Sequence, residues 1–518
     1  MLKTESYKKG ILYSTGLNII AKGIQFLNTL IIAFYFGTGS GTDIYFFVIG
    51  IAVLITSGMI NGLDQVILIP QAMKLREKEG DLASGKFLNF FIFLYVIIGV
   101  IIFSLIIISP QVFYNTFSKF PPSVLLQYQN LLYAGSLLIF FQLINNFLGA
   151  ILNSYKYFTI NIITGLITSV ISILITVFFH HQLGITGTLF AVAISYGINF
   201  IFLIAVLKIR LRWRFANIGF MRDKVVWGNI ALLQLNILPV WVRNYFTIFL
   251  LTGLGTGIIS SVNLSQQAAA ITETLIISQI LSVAGVKFNE LYSKGNMQEL
   301  NNLFMKITDY LFILITPVVL LTFFYSEEIA AIIFKRGYMD KNSVENVALC
   351  LKFLILLLPL TMLNGITTRI FSATHVIRQG IIYAIIAHSI FLILTIVFIN
   401  TMQLKGYLYS LLVGYSVLIF VFYILYKIKL SFINFDKVLL FGLKQTLINL
   451  IIAWPVHFFL KNVIEISNNI AICILGGCVQ LAILGLVHRN QTEVIKVRNF
   501  IKNIRRKKIM DYRENIPI

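Results

Sequence analysis

Long apolar runs separated by short polar stretches set the pattern of this chain. Fourteen can be marked, at approximately 11–36, 44–69, 87–109, 124–151, 160–180, 184–207, 226–252, 256–286, 305–325, 346–370, 379–400, 404–426, 438–460 and 468–488. A helix of about 20 apolar residues spans the hydrocarbon core of a bilayer. The pattern therefore predicts an all-α polytopic membrane protein with about 14 transmembrane helices. The eighth run carries the polar insert Asn263-Leu264-Ser265-Gln266-Gln267, and the sixth follows closely on the fifth.

Composition agrees with that pattern. Hydrophobic residues make up 58% of the chain and charged residues 12%, with a mean hydropathy of +0.87, whereas soluble chains carry about a quarter charged residues. The first apolar run is too long for a cleavable signal peptide and lacks a small-residue cleavage site. Cys350, Cys473 and Cys478 lie in apolar surroundings without metal-ligand or disulfide spacing, so they are expected to pack. The formal charge of +21 does not mark a nucleic-acid binder, because the basic residues fall in short loops between apolar runs. With the N-terminus inside, 31 of the 41 Lys and Arg lie on the cytoplasmic side. The positive-inside rule then predicts an even number of spans and two cytoplasmic termini. The basic tail is expected to anchor on anionic lipid head groups.

A repeat adds organisation. The turn Phe34-Tyr35-Phe36-Gly37-Thr38-Gly39-Ser40-Gly41-Thr42 is similar to Phe249-Leu250-Leu251-Thr252-Gly253-Leu254-Gly255-Thr256-Gly257, six runs later. Each follows a run bearing a cation, Lys22 or Arg243. Parallel six-span repeats with a site between them are a common transporter plan. The expected organisation is an N-terminal lobe (1–207), a basic linker (208–225), a C-terminal lobe (226–426), an extra helix pair (427–488) and a basic tail (489–518).

Charge within such helices marks candidate chemistry, at a cost of about 2.5 to 3.5 kcal/mol per residue on insertion scales. Asp309, Lys352 and Lys444 fall near run ends, where snorkelling explains them, and Asp64 lies close to an interface. Lys22, Arg243 and Glu273 fall deeper. They are either groups facing a wet pathway or a buried pair that sets helix register. Asp43 is either a helix cap beside the glycine turn or a ligand group. Cations between two lobes suit an anionic cargo such as a pyrophosphate. Gln25, Asn28, Asn263, Gln266 and Gln267 would meet sugar hydroxyls, or else hold helices together. No Walker A sequence binds ATP, and no catalytic arrangement is evident, so an enzyme is not expected. Neither a cofactor nor a metal site is expected; transport would draw on a coupling ion, the membrane potential or the cargo's own gradient.

Three stretches carry a family resemblance. Phe36-Gly37-Thr38-Gly39-Ser40-Gly41-Thr42-Asp43-Ile44-Tyr45-Phe46-Phe47-Val48 resembles the FG…TDAFF.A signature of the MurJ/MviN lipid II flippases. Ile333-Phe334-Lys335-Arg336-Gly337-Tyr338 and Thr368-Arg369-Ile370-Phe371-Ser372-Ala373 are similar to that family's LF.RG.F and R.FYA segments. The resemblance implies an alternating-access flippase of the bacterial inner membrane, with a central cationic cavity and a groove beside the last two helices for a polyprenyl tail. It implies a basic head-group residue at Lys22, an acidic position at Glu273 and the family aspartate at Asp43. From the residues themselves, Gln25, Asn28, Arg243 and Gln266 are the other expected head-group contacts, and Gly37, Gly41 and Asp43 form the expected outer gate. Expected partners are a lipid-linked saccharide, membrane lipids and proteins of cell-envelope synthesis. Asn28, Thr56 and Ala270 stand where the family carries arginine. Two alternatives remain open at this point: a cation-coupled multidrug exporter of the same superfamily, and a non-transporting membrane scaffold.

Overall fold

The computed structural model describes residues 7–60, 63–155, 157, 159–216, 218–219, 224–374, 377–464 and 468–487. The basic tail at 489–518 lies outside the described residues, as does part of the linker.

Among the described residues the chain is helical, without strands. In lipid a helix satisfies all its own backbone groups, which is why apolar runs of this length take that form. The helices are α1 (Tyr7–Phe36), α2 (Ser40–Ile60), α3 (Ile69–Glu79), α4 (Asp81–Ile108), α5 (Pro110–Asn115), α6 (Pro122–Gln127), α7 (Gln129–Ser154), α8 (Ile160–Leu211) and α9 (Lys224–Leu251). They continue with α10 (Ile258–Thr272), α11 (Gln279–Ser293), α12 (Met297–Phe324), α13 (Ser326–Phe334), α14 (Lys341–Leu356), α15 (Leu358–Ala373), α16 (Ile377–Lys429), α17 (Phe435–Phe458) and α18 (Asn469–Val487). Three π-helical turns, Asp64–Leu68, Glu273–Ser278 and Phe459–Val463, interrupt the series.

Nine helices among the described residues are individually long and apolar enough to cross a membrane, or ten if the pair α14–α15, bent by 41°, is one span. The sequence pattern marks fourteen runs, and the difference has physical causes. Two of the nine, α8 and α16, have 52 and 53 residues, about twice what a bilayer needs. Each is a hairpin. Gly184 breaks α8 with φ 56°, ψ −158°, a conformation essentially reserved for glycine. Across the break Thr176 Oγ1 donates to Thr188 Oγ1 (3.1 Å), and Asn199 Nδ2 donates to Thr164 O (3.0 Å). Gln403 breaks α16 with φ 53°, ψ −129°; there Tyr383 Oη donates to Leu418 O (3.0 Å). The remaining difference lies in interrupted segments: α9 contains Pro239, which has no N–H to donate, and α10 runs into a π turn at Glu273.

By packing, α1, α2, α4, α7 and α8 form one bundle, and α9, α10, α12, α14, α15 and α16 another. The pair α17–α18 lies against α12 and α13, and Lys461 at its turn pairs with Glu328 of α13 at 3.1 Å. One core cluster runs through both bundles, from Ile44 and Leu132 to Val347 and Phe422.

Candidate functional site

The two bundles are knitted together at the Gly37 end. Asp43, 1% exposed, sits in the first turn of α2 and accepts three hydrogen bonds from the second bundle. They come from Gly257 N (2.5 Å), Ser260 N (2.8 Å) and Ser260 Oγ (2.7 Å). The carboxylate thus caps the free N–H groups at the start of α10, where the helix dipole favours negative charge. Tyr338 N donates to Phe34 O (2.9 Å), and the Thr38 and Ser343 hydroxyls hydrogen-bond to each other. Lys119 N donates to Thr252 Oγ1 (2.7 Å) and Tyr245 Oη to Thr116 O (2.6 Å) at the same end.

Glycine makes this approach sterically possible. A Cβ on Gly37 would lie 2.5 Å from Tyr338 O, one on Gly257 2.7 Å from Thr38 O, and one on Gly337 2.1 Å from Phe34 O. All three residues also have positive φ. Gly41 serves its own bundle, packing against Tyr128 and Ile185.

Below the seal lies a cavity of about 900 Å³. It begins beneath Ile32 and Tyr45 and reaches the level of Asp64, Asn153 and Asn161. Its walls are α1, α2, α7 and both arms of α8, with Asn263 and Gln267 of α10 closing one side. On α1 the spacing Lys22, Gln25, Asn28/Thr29 and Ile32 repeats every three or four residues, so these side chains share one helical face. Lys22 is exposed to the cavity. A second, mainly apolar cavity of about 750 Å³ lies between α2, α4 and α9, lined by Gly58, Met59, Ile102, Leu235 and Trp241.

The structure brings together part of the set expected from sequence. Lys22, Gln25 and Asn28 line the cavity, as do Asn263, Gln267 and Asp64. Arg243 does not join them. Its guanidinium carbon lies 4.6 Å from the Phe391 ring centroid, Nη2 donates to Asn244 Oδ1 (2.9 Å) and Nη1 lies 3.4 Å from His388 Nδ1. Arg243 therefore faces α16 within its own bundle, and the expectation of two cations facing one chamber is corrected to one. Gln266 turns the same way, its Nε2 donating to Tyr407 Oη (3.3 Å). Glu273 begins a π turn, is exposed and is not among the cavity walls. Of the positions where arginine was expected, Asn28 and Thr56 face the cavity and Ala270 does not.

Sequence reasoning missed the walls from α7 and α8, chiefly Asn145, Asn146, Asn153, Asn161 and Asn199. A signal existed: five asparagines in apolar runs are costly unless bonded or wet.

The model of the family described as "Lipid II flippase MurJ" matches residues 32–476. The chain belongs to the MurJ family. Among curated relatives, the probable lipid II flippase MurJ of Borreliella burgdorferi is 22% identical over 506 residues, covering 93% of this chain and 95% of the relative. That of Buchnera aphidicola subsp. Baizongia pistaciae is 22% identical over 386 residues, covering 71% and 73%. The fold is similar to a solved lipid II flippase MurJ in an inward closed conformation (TM-score 0.74, 16% identity, 92% of this chain and 99% of that one). It is also similar to an inward-facing multidrug resistance MATE family transporter (TM-score 0.62, 16% identity, 80% and 94%). MurJ membership makes the chain a multi-pass membrane protein of transport and cell-wall biogenesis.

Proposed function

We propose that this MurJ-family protein moves a polyprenyl-pyrophosphate-linked saccharide precursor, lipid II or a related unit, from the inner to the outer leaflet of a bacterial inner membrane by alternating access. The observation that carries this reading is a polar cavity of about 900 Å³ at membrane depth, closed at one end by a bonded seal. A chamber open toward one face and sealed toward the other is one of the two states alternating access requires. The seal at Gly37, Asp43, Gly257 and Gly337 is the outer gate, and both termini are cytoplasmic. Lys22, Gln25 and Asn28 meet the head group. Arg243 and Gln266 support the second bundle, and Glu273 shapes the bend where α10 gives way to a π turn. The energy comes from an ion gradient or the membrane potential, with no ATP site. Proteins of envelope synthesis are the partners that would supply and consume the cargo.

The alternatives fare worse on specific grounds. A non-transporting scaffold has no use for a chamber lined by Lys22 and many amides. A cation-coupled drug exporter calls for carboxylates, and Asp64 is the single one among the described cavity walls.

The test is replacement of the resident flippase in a depletion strain, paired with native mass spectrometry of the gently purified protein. Rescue of growth and a co-purifying lipid-linked saccharide are expected, with rescue lost in Lys22→Ala at normal abundance. No rescue and no bound lipid, or full rescue by Lys22→Ala, would overturn the reading or the site respectively.

A further inference from the structure

Two cavities flank α2. Val53, Thr56 and Ile60 face the polar chamber, whereas Ile55, Gly58 and Met59 face the cavity of about 750 Å³ on another side of the same helix. The helices α4, α5 and α9 supply the remaining walls of this lateral cavity. On α9, Ala231, Gln234, Leu235, Leu238 and Trp241 recur every three or four residues and so share one face. The Trp241 indole is spent on α2, its Nε1 donating to Leu54 O (3.0 Å). Apart from it and Gln234, the described wall side chains are apolar. Leu235 and Leu238 are 58% and 51% exposed, so the cavity is open on that side, along an apolar run. Its volume suits a ligand pocket, and an apolar cavity takes an apolar guest rather than water.

Toward the Gly37 end the cavity meets a ladder of rings. Phe113, Phe117, Tyr245 and Trp241 follow one another with centroids 5.4, 5.7 and 5.9 Å apart. Beside the ladder stands exposed Lys119, with Nζ 5.3 Å from the Phe249 ring centroid. Its backbone N donates to Thr252 Oγ1 (2.7 Å), which fixes it at the end of α9. The stretch 109–128 holds Lys119 and no acidic residue. Aromatic rings with a cation beyond them mark the level of lipid head groups.

We propose that the lateral cavity holds one acyl chain of an anionic phospholipid from the leaflet at the Gly37 end, with the lipid phosphate at Lys119. This site is separate from the polar chamber, since α2 stands between them, and from any groove beside α17 and α18, which contribute no wall to it. The lengths agree. From Tyr245, whose ring meets Phe117, to Leu235 is ten residues of α9, about 15 Å along the axis. That is the depth of one leaflet, half of a hydrocarbon core about 30 Å thick. A chain whose phosphate stands at Lys119 thus ends where Leu235 and Met59 line the cavity. The charge agrees too, because a lysine at the head-group level favours a lipid of net negative charge. A lipid seated there packs against α2 of one bundle and α9 of the other at once. It therefore favours the arrangement that forms the cavity over any in which α2 and α9 part.

The test places the purified full-length chain in phosphatidylcholine nanodiscs containing a trace of a photoreactive lipid. One probe is phosphatidylglycerol with a diazirine in one acyl chain; the other is phosphatidylcholine bearing the same chain. Cross-linked peptides are then mapped by mass spectrometry. The anionic probe should label 55–59 and 231–241 about fivefold more than the neutral probe. Both should label the exposed face of α17 at Leu447 and Ile451 alike. Lys119→Gln should bring the preference in the cavity close to unity and leave α17 labelling unchanged. Ala231→Phe, which fills the deep end, should cut cavity labelling by both probes several-fold. Equal labelling of the cavity by the two probes in the natural chain, or cavity labelling no stronger than that of α17, would overturn the proposal. So would a preference that survives Lys119→Gln. The comparison of the two lipids is made on the natural chain, so it decides the matter even if Ala231→Phe fails to fold.

Discussion

The two halves of the molecule repeat the same parts and use them differently. Each opens with a helix carrying one deep cation, Lys22 in α1 and Arg243 in α9. Each continues through a glycine turn into a helix, α2 or α10, that leads to a π-helical turn beginning with a carboxylate, Asp64 or Glu273. After each π turn the connection carries an ion pair: half-buried Arg76 with exposed Asp81 in the first half, and Glu290 with Lys287 and Lys294 in the second. Each later folds a hairpin, broken at Gly184 or at Gln403. Yet the first half turns its polar face to a chamber, while the second buries Arg243 against His388 and Phe391. One half furnishes most of the cavity wall; the other furnishes one side of the seal. A repeat in sequence thus need not be a repeat in function, because the face that a helix presents is set by its neighbours.

Variants at paired positions separate the two roles, and the seal should respond most. Gly337→Ala places a Cβ 2.1 Å from Phe34 O at φ +61°. Left-handed backbone costs a non-glycine residue about 1–2 kcal/mol, and overpacking about 1–3 kcal/mol more. Closure should fall by about 30-fold or more, read as loss of rescue and as gained thiol-reagent access to a cysteine at Thr38. Access unchanged from the natural chain would remove the steric account of the seal.

Asp43→Ala should come next. It removes the side chain that caps the α10 N-terminus with three hydrogen bonds, and losing such a cap costs about 0.5–2 kcal/mol. The same thiol assay should report opening, and Ser260→Ala, which keeps the backbone N–H donors, should report distinctly less. Equal effects would place the seal's strength in the hydroxyl.

The cations provide the sharpest contrast. Lys22→Ala is expected to abolish transport at normal abundance and unchanged Tm. Arg243→Ala should lower thermal stability by about 1 kcal/mol, the scale of a partly shielded cation–π contact, with activity falling only through abundance. If Arg243→Ala removes transport without touching stability, both halves bind cargo and the contrast collapses.

The hairpins differ by one residue choice. Gln403 holds a backbone conformation that glycine adopts freely at the matching Gly184. Gln403→Gly should therefore stabilise the protein by about 1 kcal/mol, and Gly184→Ala should destabilise it by a similar amount, both measurable as Tm shifts in detergent.

The smallest effect is expected at the charged connection of the second half. Lys294 and Lys287 hydrogen-bond Glu290 and hold its carboxyl down to about 2. A depressed carboxylate contributes its stability above its ordinary range near 4.5 and loses it as pH falls through about 2. Glu290→Gln should thus leave stability at neutral pH nearly unchanged, since solvent reaches and screens the site, and should flatten the stability profile only in that acid window. A large loss at pH 7 would mean this connection matters more than its exposure allows.

The sequence alone determined the helical class, the membrane setting, the glycine turns and the presence of costly charges, because hydrophobic run length and glycine conformational freedom act locally. It also singled out Asp43 and Gly37, whose spacing beside a helix start is itself local. Only the tertiary structure decided that Lys22 faces the cavity and Arg243 an aromatic ring, since each helix has several faces and packing chooses among them. It likewise brought Asn146, Asn153 and Asn161 of α7 and α8 to the same chamber as Gln25. Nothing in their sequence spacing places them together. Their convergence depends on the hairpin at Gly184 and on how α7 packs against α8, contacts made between residues far apart in the chain.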